Sequence, residues 1–176
     1  MAKVGIFFGT DTGNTRRVAK DISKALGAIA AKPVNVRTAS ADDLQAYDVL
    51  ILGTPTYGEG LLPGLSTGNA TESWEEFLPK LAGQDFSGKK VAIYGLGNQK
   101  GYPKEFVDAM FYLYDQFEQC NATFIGQWST DGYKFKASKS VIDGQFVGLV
   151  LDQENQKDLT QDRLDTWLKQ LATAWE

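Results

Sequence analysis

The sequence contains no histidine. That absence excludes Ser-His-Asp and Cys-His catalysis, His-ligated zinc and the usual neutral-pH proton shuttle. The single cysteine, Cys120, cannot close an internal disulfide, which fits a reducing compartment. It reads as a buried apolar residue rather than a nucleophile. No apolar run approaches the roughly 20 residues that a bilayer span requires. Met1-Ala2-Lys3 leads straight into apolar residues, with no charged leader and no small-residue cleavage site. A cytoplasmic location without membrane contact is therefore expected. Repeats and low-complexity tracts are absent too, and the two Asn-x-Thr sequons at Asn69 and Asn121 read as chance.

What is present fits one domain, residues 1–176, with a single sizeable core: 43% hydrophobic and 12% aromatic residues over 176 positions. The formal charge of −4 conceals an asymmetry. Residues 1–40 carry seven Lys/Arg against Asp11 and Asp21, whereas the rest carry eleven basic and twenty acidic residues. An acidic majority disfavours nucleic acid and steers a basic protein partner; ordinary solubility accounts for it equally well.

Strand and helix patterns alternate. Lys3–Phe8 is a short apolar run ending at Gly9, the mark of a buried parallel strand. From Asn14, Val18, Ile22, Ala25 or Leu26, and Ile29 recur at helical spacing, with Arg16, Arg17, Lys20 and Lys24 on the other face. Val34–Val36 and Tyr47–Leu52 follow as strands two and three, the latter stopped by Gly53 and Pro55. A helix is expected over Ser73–Leu81, strand four over Lys90–Tyr94, and a helix with Pro103 in its first turn running towards Phe117. Ala122–Trp128 starts a fifth strand, and Leu159–Trp175 makes the last helix with Thr160 as N-cap. Two excursions interrupt the pattern: Leu61–Thr71, and a polar loop over Ser129–Phe146 inserted into or beside the last strand, before Phe146–Leu151. Alternation of this kind, with strands apolar on both faces, predicts an open parallel α/β sheet covered by helices on both sides. Ligands in such sheets sit beyond the carboxyl ends of the strands.

Three strand ends carry candidate ligand-binding residues. After strand one comes Gly9-Thr10-Asp11-Thr12-Gly13-Asn14-Thr15. Short side chains there leave backbone N–H groups free, three threonine hydroxyls add donors, and the following helix contributes its positive end. Glycine and hydroxyls at this density exceed what a simple N-cap requires. No Lys or Arg lies inside the loop, so an anion held there keeps its charge largely uncompensated. After strand three comes Gly53-Thr54-Pro55-Thr56-Tyr57-Gly58-Glu59-Gly60, and after strand four Gly95-Leu96-Gly97-Asn98-Gln99, followed by Tyr102. Two tyrosines at neighbouring strand ends suit the faces of a planar ring, although each alone also fits packing or plain exposure. The first loop is neither a Walker A loop nor a Gly-x-Gly-x-x-Gly turn, and Gly95–Gly101 has one residue too many for the latter.

Taken together, these loops resemble those of a long-chain flavodoxin over essentially the whole chain. The anchors are Thr10–Thr15, Thr54–Tyr57, Gly95–Tyr102, Trp128–Tyr133 and Phe146–Asp152. The resemblance implies a flavodoxin-like three-layer sandwich with a five-stranded parallel sheet of order 2-1-3-4-5, and one non-covalently held FMN. It implies a low-potential one-electron carrier, not an enzyme, cycling mainly between semiquinone and hydroquinone. Thr10, Asp11, Thr12, Gly13, Asn14 and Thr15 would bind the phosphate; Thr54, Pro55, Thr56, Tyr57 and Gly58 would border the inner ring face. Gly95, Leu96, Gly97, Asn98 and Gln99 would meet the pyrimidine end, Tyr102 the outer face, and Asp152 the ribityl side. Catalytic and metal-ligating residues are not expected. The Leu61–Thr71 excursion and the Lys3–Gly13 opening are similar to those of the nitrogen-fixation subgroup. This implies redox protein partners, a reductase as donor and nitrogenase iron protein as acceptor, for a monomeric carrier. Tyr57, where relatives carry Trp or an aliphatic residue, and Asn98, where many carry Asp, depart from the family pattern.

An FMN phosphate without a neutralising lysine, with Glu59, Glu72, Glu75 and Glu76 on the same side, disfavours adding a second electron. A tenfold change in a one-electron equilibrium is about 59 mV, so modest charge interactions matter. Gly58 lowers the backbone cost of turning the Gly58-Glu59 carbonyl towards flavin N5. A flavodoxin serving another reductase, or as a general ferredoxin substitute, is the nearest alternative. An FMN-dependent NAD(P)H reductase would need a nicotinamide pocket, for which no dinucleotide fingerprint appears. A phospho-acceptor domain needs acids where Gly9-Thr10 and Gly53-Thr54 stand.

Overall fold

The computed structural model describes residues 3–9 and 13–175. Four strands supply its spine: β1 (Val4–Phe8), β3 (Val49–Pro55), β4 (Lys90–Leu96) and β9 (Leu149–Leu151), all parallel to their neighbours. Two-residue strands β2 (Val34–Asn35) and β5 (Thr123–Phe124) complete a sheet of order β2-β1-β3-β4-β5, with β9 also on β4. β5 pairs with the start of β4 at Lys90 and Val91, and β9 with its end at Tyr94–Leu96. The last strand is thus one edge cut in two by an insertion, as the polar loop predicts.

Alternation sorts the strand residues onto two cores. Val4, Ile6, Phe8, Val49, Ile51, Ala92 and Tyr94 face one side, under α1 (Asn14–Leu26) and α5 (Thr160–Ala174). Phe7, Leu50, Leu52, Val91 and Ile93 face the other, under α3 (Trp74–Phe77) and α4 (Ala109–Gln119). A short α2 (Ala41–Gln45), with Ser40 and Asp43 in a reciprocal capping box, precedes β3. Each fully enclosed Leu, Ile or Phe contributes about 1.5–3 kcal/mol of burial. Cys120 is buried, its thiol 3.4 Å from the Leu81 carbonyl.

The insertion folds on itself. β6 (Trp128–Ser129), β8 (Gln145–Phe146) and β7 (Val141–Ile142) form a small antiparallel sheet in that order. Tyr133, Phe135 and Phe146 stack around Phe106 at centroid distances of 5.3–6.0 Å, sealing it onto the α4 side.

Several boundaries differ from expectation, each for a physical reason. β3 and β4 run on through Pro55 and Leu96, so Gly53, Thr54, Pro55, Gly95 and Leu96 belong to the strands rather than follow them. The fifth strand breaks before Trp128, because Gly126 turns at φ +81° where the Trp167 indole donates to its carbonyl at 2.8 Å. Pro103 does not open a helix: its carbonyl accepts from Lys136 and Ala137 of the insertion, and α4 starts only at Ala109. Thr160 is the first residue of α5, not its cap, and its hydroxyl donates to Gln153 Oε1 at 2.9 Å. Ile29 is 42% exposed, since α1 ends at Gly27 with φ +63° and the helical phase is lost.

Candidate functional site

The carboxyl ends of β1, β3, β4 and β9 meet at one edge, as ligand-binding α/β sheets arrange them. A cleft of about 210 Å³ opens there between Asn14, Thr15, Pro55, Thr56, Leu96, Gly97, Asn98 and Tyr102. Residues from all three predicted strand ends therefore line one cleft. Among the described residues, no group of three or more Cys, Asp or Glu is placed to hold a metal.

At one end lies the start of α1. Thr10, Asp11 and Thr12 lie outside the described residues. Gly13 caps the helix at φ +96°, and no acidic residue occupies its first turn, so the positive end of the helix faces the cleft uncancelled. Thr15 is 1% exposed, and its hydroxyl has no hydrogen-bond partner among the described residues. A buried hydroxyl costs free energy unless something pairs with it. A phosphate oxygen is such a partner, so this end fits the phosphate of a nucleotide cofactor. The Thr15 carbonyl is fixed from below by the Tyr94 hydroxyl at 2.9 Å. Tyr94 reaches it across Gly53, where any Cβ would stand 2.0 Å from the tyrosine ring. Burial pushes the Tyr94 phenol far above its usual range, so it acts only as a neutral donor. The loop lacks a cation, yet Arg17 reaches back to within 3.4 Å of Asn14 Oδ1. A guanidinium therefore stands at the rim, where the helical pattern placed it on the outer face.

The far wall is a turn held from behind. Tyr102 N–H donates to the Asn98 carbonyl at 2.8 Å, and Gly101 N–H to Asn98 Oδ1 at 2.8 Å. The Tyr102 ring is 44% exposed at the cleft mouth. Gln99 turns away from the cleft, its backbone and side-chain N–H groups donating to Asp152 Oδ2 at 3.0 and 2.8 Å. Asp152, completely buried, also accepts from Glu154 N–H, Asn155 N–H and the Asn155 amide. Burial alone would raise the Asp152 carboxyl, but the donors of Asn155 and Gln99 outweigh it and hold the pKa below the ordinary value. The structure thus does not bring Asp152 or Gln99 to the cleft surface.

Across the cleft, Thr54 turns its hydroxyl to the Pro55 carbonyl, and Thr56 Oγ1 accepts from Ala109 N–H at 3.3 Å. Tyr57 is half-buried just beyond this wall. It closes a tight turn with Leu61 through two backbone bonds of 2.8 Å. Gly58, exposed in that turn, holds φ +52° with open space where a side chain would be. The Leu61–Thr71 excursion is pinned by acids rather than left loose. Glu76 accepts from Leu65 and Ser73 N–H, and Glu75 from Ser66. The Ser66 hydrogen bonds keep the Glu75 carboxyl below its ordinary range.

Four cleft residues were not anticipated: Glu105, Val107, Gln153 and Glu154. The last two follow β9, so reading the end of the last strand as the other three were read finds them. Glu105 and Val107 carry no local signal, since their place is set by the turns before α4.

A family model described as Flavodoxin matches residues 6–167. A flavodoxin of Klebsiella pneumoniae is 52% identical over 171 residues, covering 97% of each chain. A second flavodoxin of the same organism is 44% identical over 175 residues, covering 98% of this chain and 94% of that one. Among solved structures, Fusobacterium nucleatum flavodoxin bound to flavin mononucleotide superposes with a TM-score of 0.89 at 33% identity, over 100% of both chains.

Proposed function

The chain belongs to the flavodoxin family, and on that premise we propose that it is a one-electron carrier, not an enzyme, built as a single domain around one non-covalent FMN. The observation that carries this reading is the cleft itself. One end offers a buried unpaired threonine hydroxyl at a helix start, the other a tyrosine-edged turn of fixed backbone. When bound, the flavin supplies the one-electron chemistry; the chain supplies position and field.

Thr10–Thr15 would hold the phosphate with backbone N–H groups and hydroxyls, with Arg17 beside Asn14. Leu96, Gly97 and Asn98 would present backbone to the pyrimidine end, and Tyr102 would cover the outer face and limit water access. Pro55, Thr56 and Tyr57 border the inner side. Gly58 has the conformational freedom and the open space that would let its peptide carbonyl turn and accept a hydrogen bond from a protonated flavin N5. Asp152 acts from behind, by fixing the turn that faces the ring.

The finer assignment is electron delivery to nitrogenase iron protein by a cytoplasmic monomer, reduced by a separate reductase. The character of the opening and of the pinned excursion supports it. So does the closer likeness to one of two flavodoxins from a single organism, 52% against 44%, which suits a specialised carrier. The test is twofold. Steady NAD(P)H oxidation by the pure protein would count for a reductase instead. Reduced protein that fails to support turnover of nitrogenase, while reducing other acceptors, would leave the carrier reading standing and remove the nitrogenase role.

A further inference from the structure

The two rims of the cleft differ in charge. Residues 57–76, the Tyr57 turn and the excursion with the helix start that follows it, carry Glu59, Glu72, Glu75 and Glu76 and no Lys or Arg. Segments 98–104 and 132–139 carry five lysines and no acid. Hydrogen bonds join these two segments: Lys134 N–H donates to Gln99 Oε1 at 2.6 Å, Lys136 N–H to the Pro103 carbonyl at 2.6 Å and Ala137 N–H to the same carbonyl at 2.9 Å. Lys100, Lys104, Lys134 and Lys136 are all exposed, and none has an ion-pair partner among the described residues. The fifth, Lys139, turns to the Tyr112 hydroxyl at 3.0 Å. Beside them lies a second cleft of about 410 Å³, whose walls include Lys100, Tyr133, Lys134 and Gln156. Arg163 closes its back, 4.1 Å over the Tyr133 ring and 2.8 Å from Gln156 Oε1.

We infer that this lysine rim, beside Tyr102, is a docking surface for an acidic segment of a partner protein. Four ammonium groups gathered without an ion-pair partner among the described residues, on a chain of net charge −4, create a local field opposite to that of the whole. Such a patch is felt within about 8 Å at physiological salt, so it acts at the last stage of approach and fixes orientation more than affinity. A partner with an acidic segment and a basic one is then held with its redox group over the cleft; a uniformly basic partner is repelled at this rim. A long polyanion such as nucleic acid is disfavoured, because the glutamates of the Tyr57 turn and the excursion belong to the same end of the sheet.

The inference rests on the carrier reading only for the meaning of the cleft, and its test reads binding rather than electron transfer. The FMN-loaded protein is titrated against a fluorescent oligo-glutamate peptide at low and at physiological salt. The triple variant Lys104→Glu, Lys134→Glu, Lys136→Glu lies outside the ring-facing turn, and a triple Lys→Arg variant serves as control. Binding that weakens with salt, falls tenfold or more in the Glu variant and persists in the Arg variant is expected, with flavin absorbance and Tm unchanged. Equal binding by the Glu variant, no binding by the parent at low salt, or tighter binding of single-stranded DNA or anionic vesicles than of the peptide would overturn the inference. Failure of the parent to retain FMN would count against the carrier reading alone.

Discussion

Asp152 and Gln99 share one carboxylate oxygen: both the backbone and the side-chain N–H of Gln99 donate to Asp152 Oδ2, at 3.0 and 2.8 Å, in full burial. Among the described residues no cation stands at hydrogen-bond distance from this carboxylate, and N–H dipoles satisfy it. It therefore sets the backbone of the turn that forms the cleft's far wall, with Asn155 bridging to Asn98 Oδ1 at 2.8 Å. Asp152→Ala leaves those donors without a partner, at about 1–3 kcal/mol for each that stays dry. In a chain of this size each kcal/mol lowers Tm by about 2–4 °C. Thermal unfolding of the FMN-free protein checks this, and weaker FMN binding accompanies it.

The same carboxylate gives a signed pH dependence. Its folded pKa is depressed, so its contribution is complete above the unfolded value near 4 and is lost as pH falls through the lower folded value. The stability gap between the parent and Asp152→Asn is therefore largest at neutral pH and closes below about pH 4. Denaturant melts across pH 2–7 measure it.

Thr15→Val separates binding from stability. Removing a buried hydroxyl that lacks a partner leaves the FMN-free protein as stable or slightly more so. Losing a donor to a charged phosphate costs about 1.5–3 kcal/mol of FMN affinity, or about 10–150-fold. Riboflavin, which has no phosphate, binds parent and variant alike. Fluorescence quenching titrations with both ligands report the difference.

Tyr102→Ala removes a ring that is 44% exposed, so Tm of the FMN-free protein moves little. FMN and riboflavin both bind more weakly, by about 0.5–1.5 kcal/mol for a lost aromatic contact, beyond the area it buried. Equal loss for the two ligands distinguishes a ring contact from a phosphate contact.

Gly58→Ala places a Cβ at φ +52°. The space is open, so the effect is backbone strain of about 1–2 kcal/mol rather than a clash. A potentiometric titration is expected to show less of the half-reduced form at equilibrium, because the peptide turns at greater cost.

Much of this was legible in the sequence, because strand burial and strand-end chemistry are local. The two-faced alternation of Val49–Leu52 pointed to the parallel sheet and the glycine-threonine density before α1 to an anion-binding end, while the strand order came with the flavodoxin resemblance. What escaped depends on distant partners. Gly126 ends the fifth strand through Trp167, a residue 41 positions away. Pro103 fails to start a helix because Lys136 and Ala137 take its carbonyl. Asp152 is assigned to the ribityl side by the family resemblance, and only the fold shows its carboxylate enclosed by Gln99 and Asn155. Arg17 sits on the polar face of α1 by periodicity, yet its reach back to Asn14 is a side-chain matter that spacing does not express.

The central claim is one flavin and single electrons. An anaerobic spectroelectrochemical titration of the purified protein with FMN tests it most directly. One FMN per chain, reduced in two resolved one-electron steps with the second at strongly negative potential, is the predicted result. A chain that binds no FMN, or that takes up both electrons in one unresolved step, contradicts it.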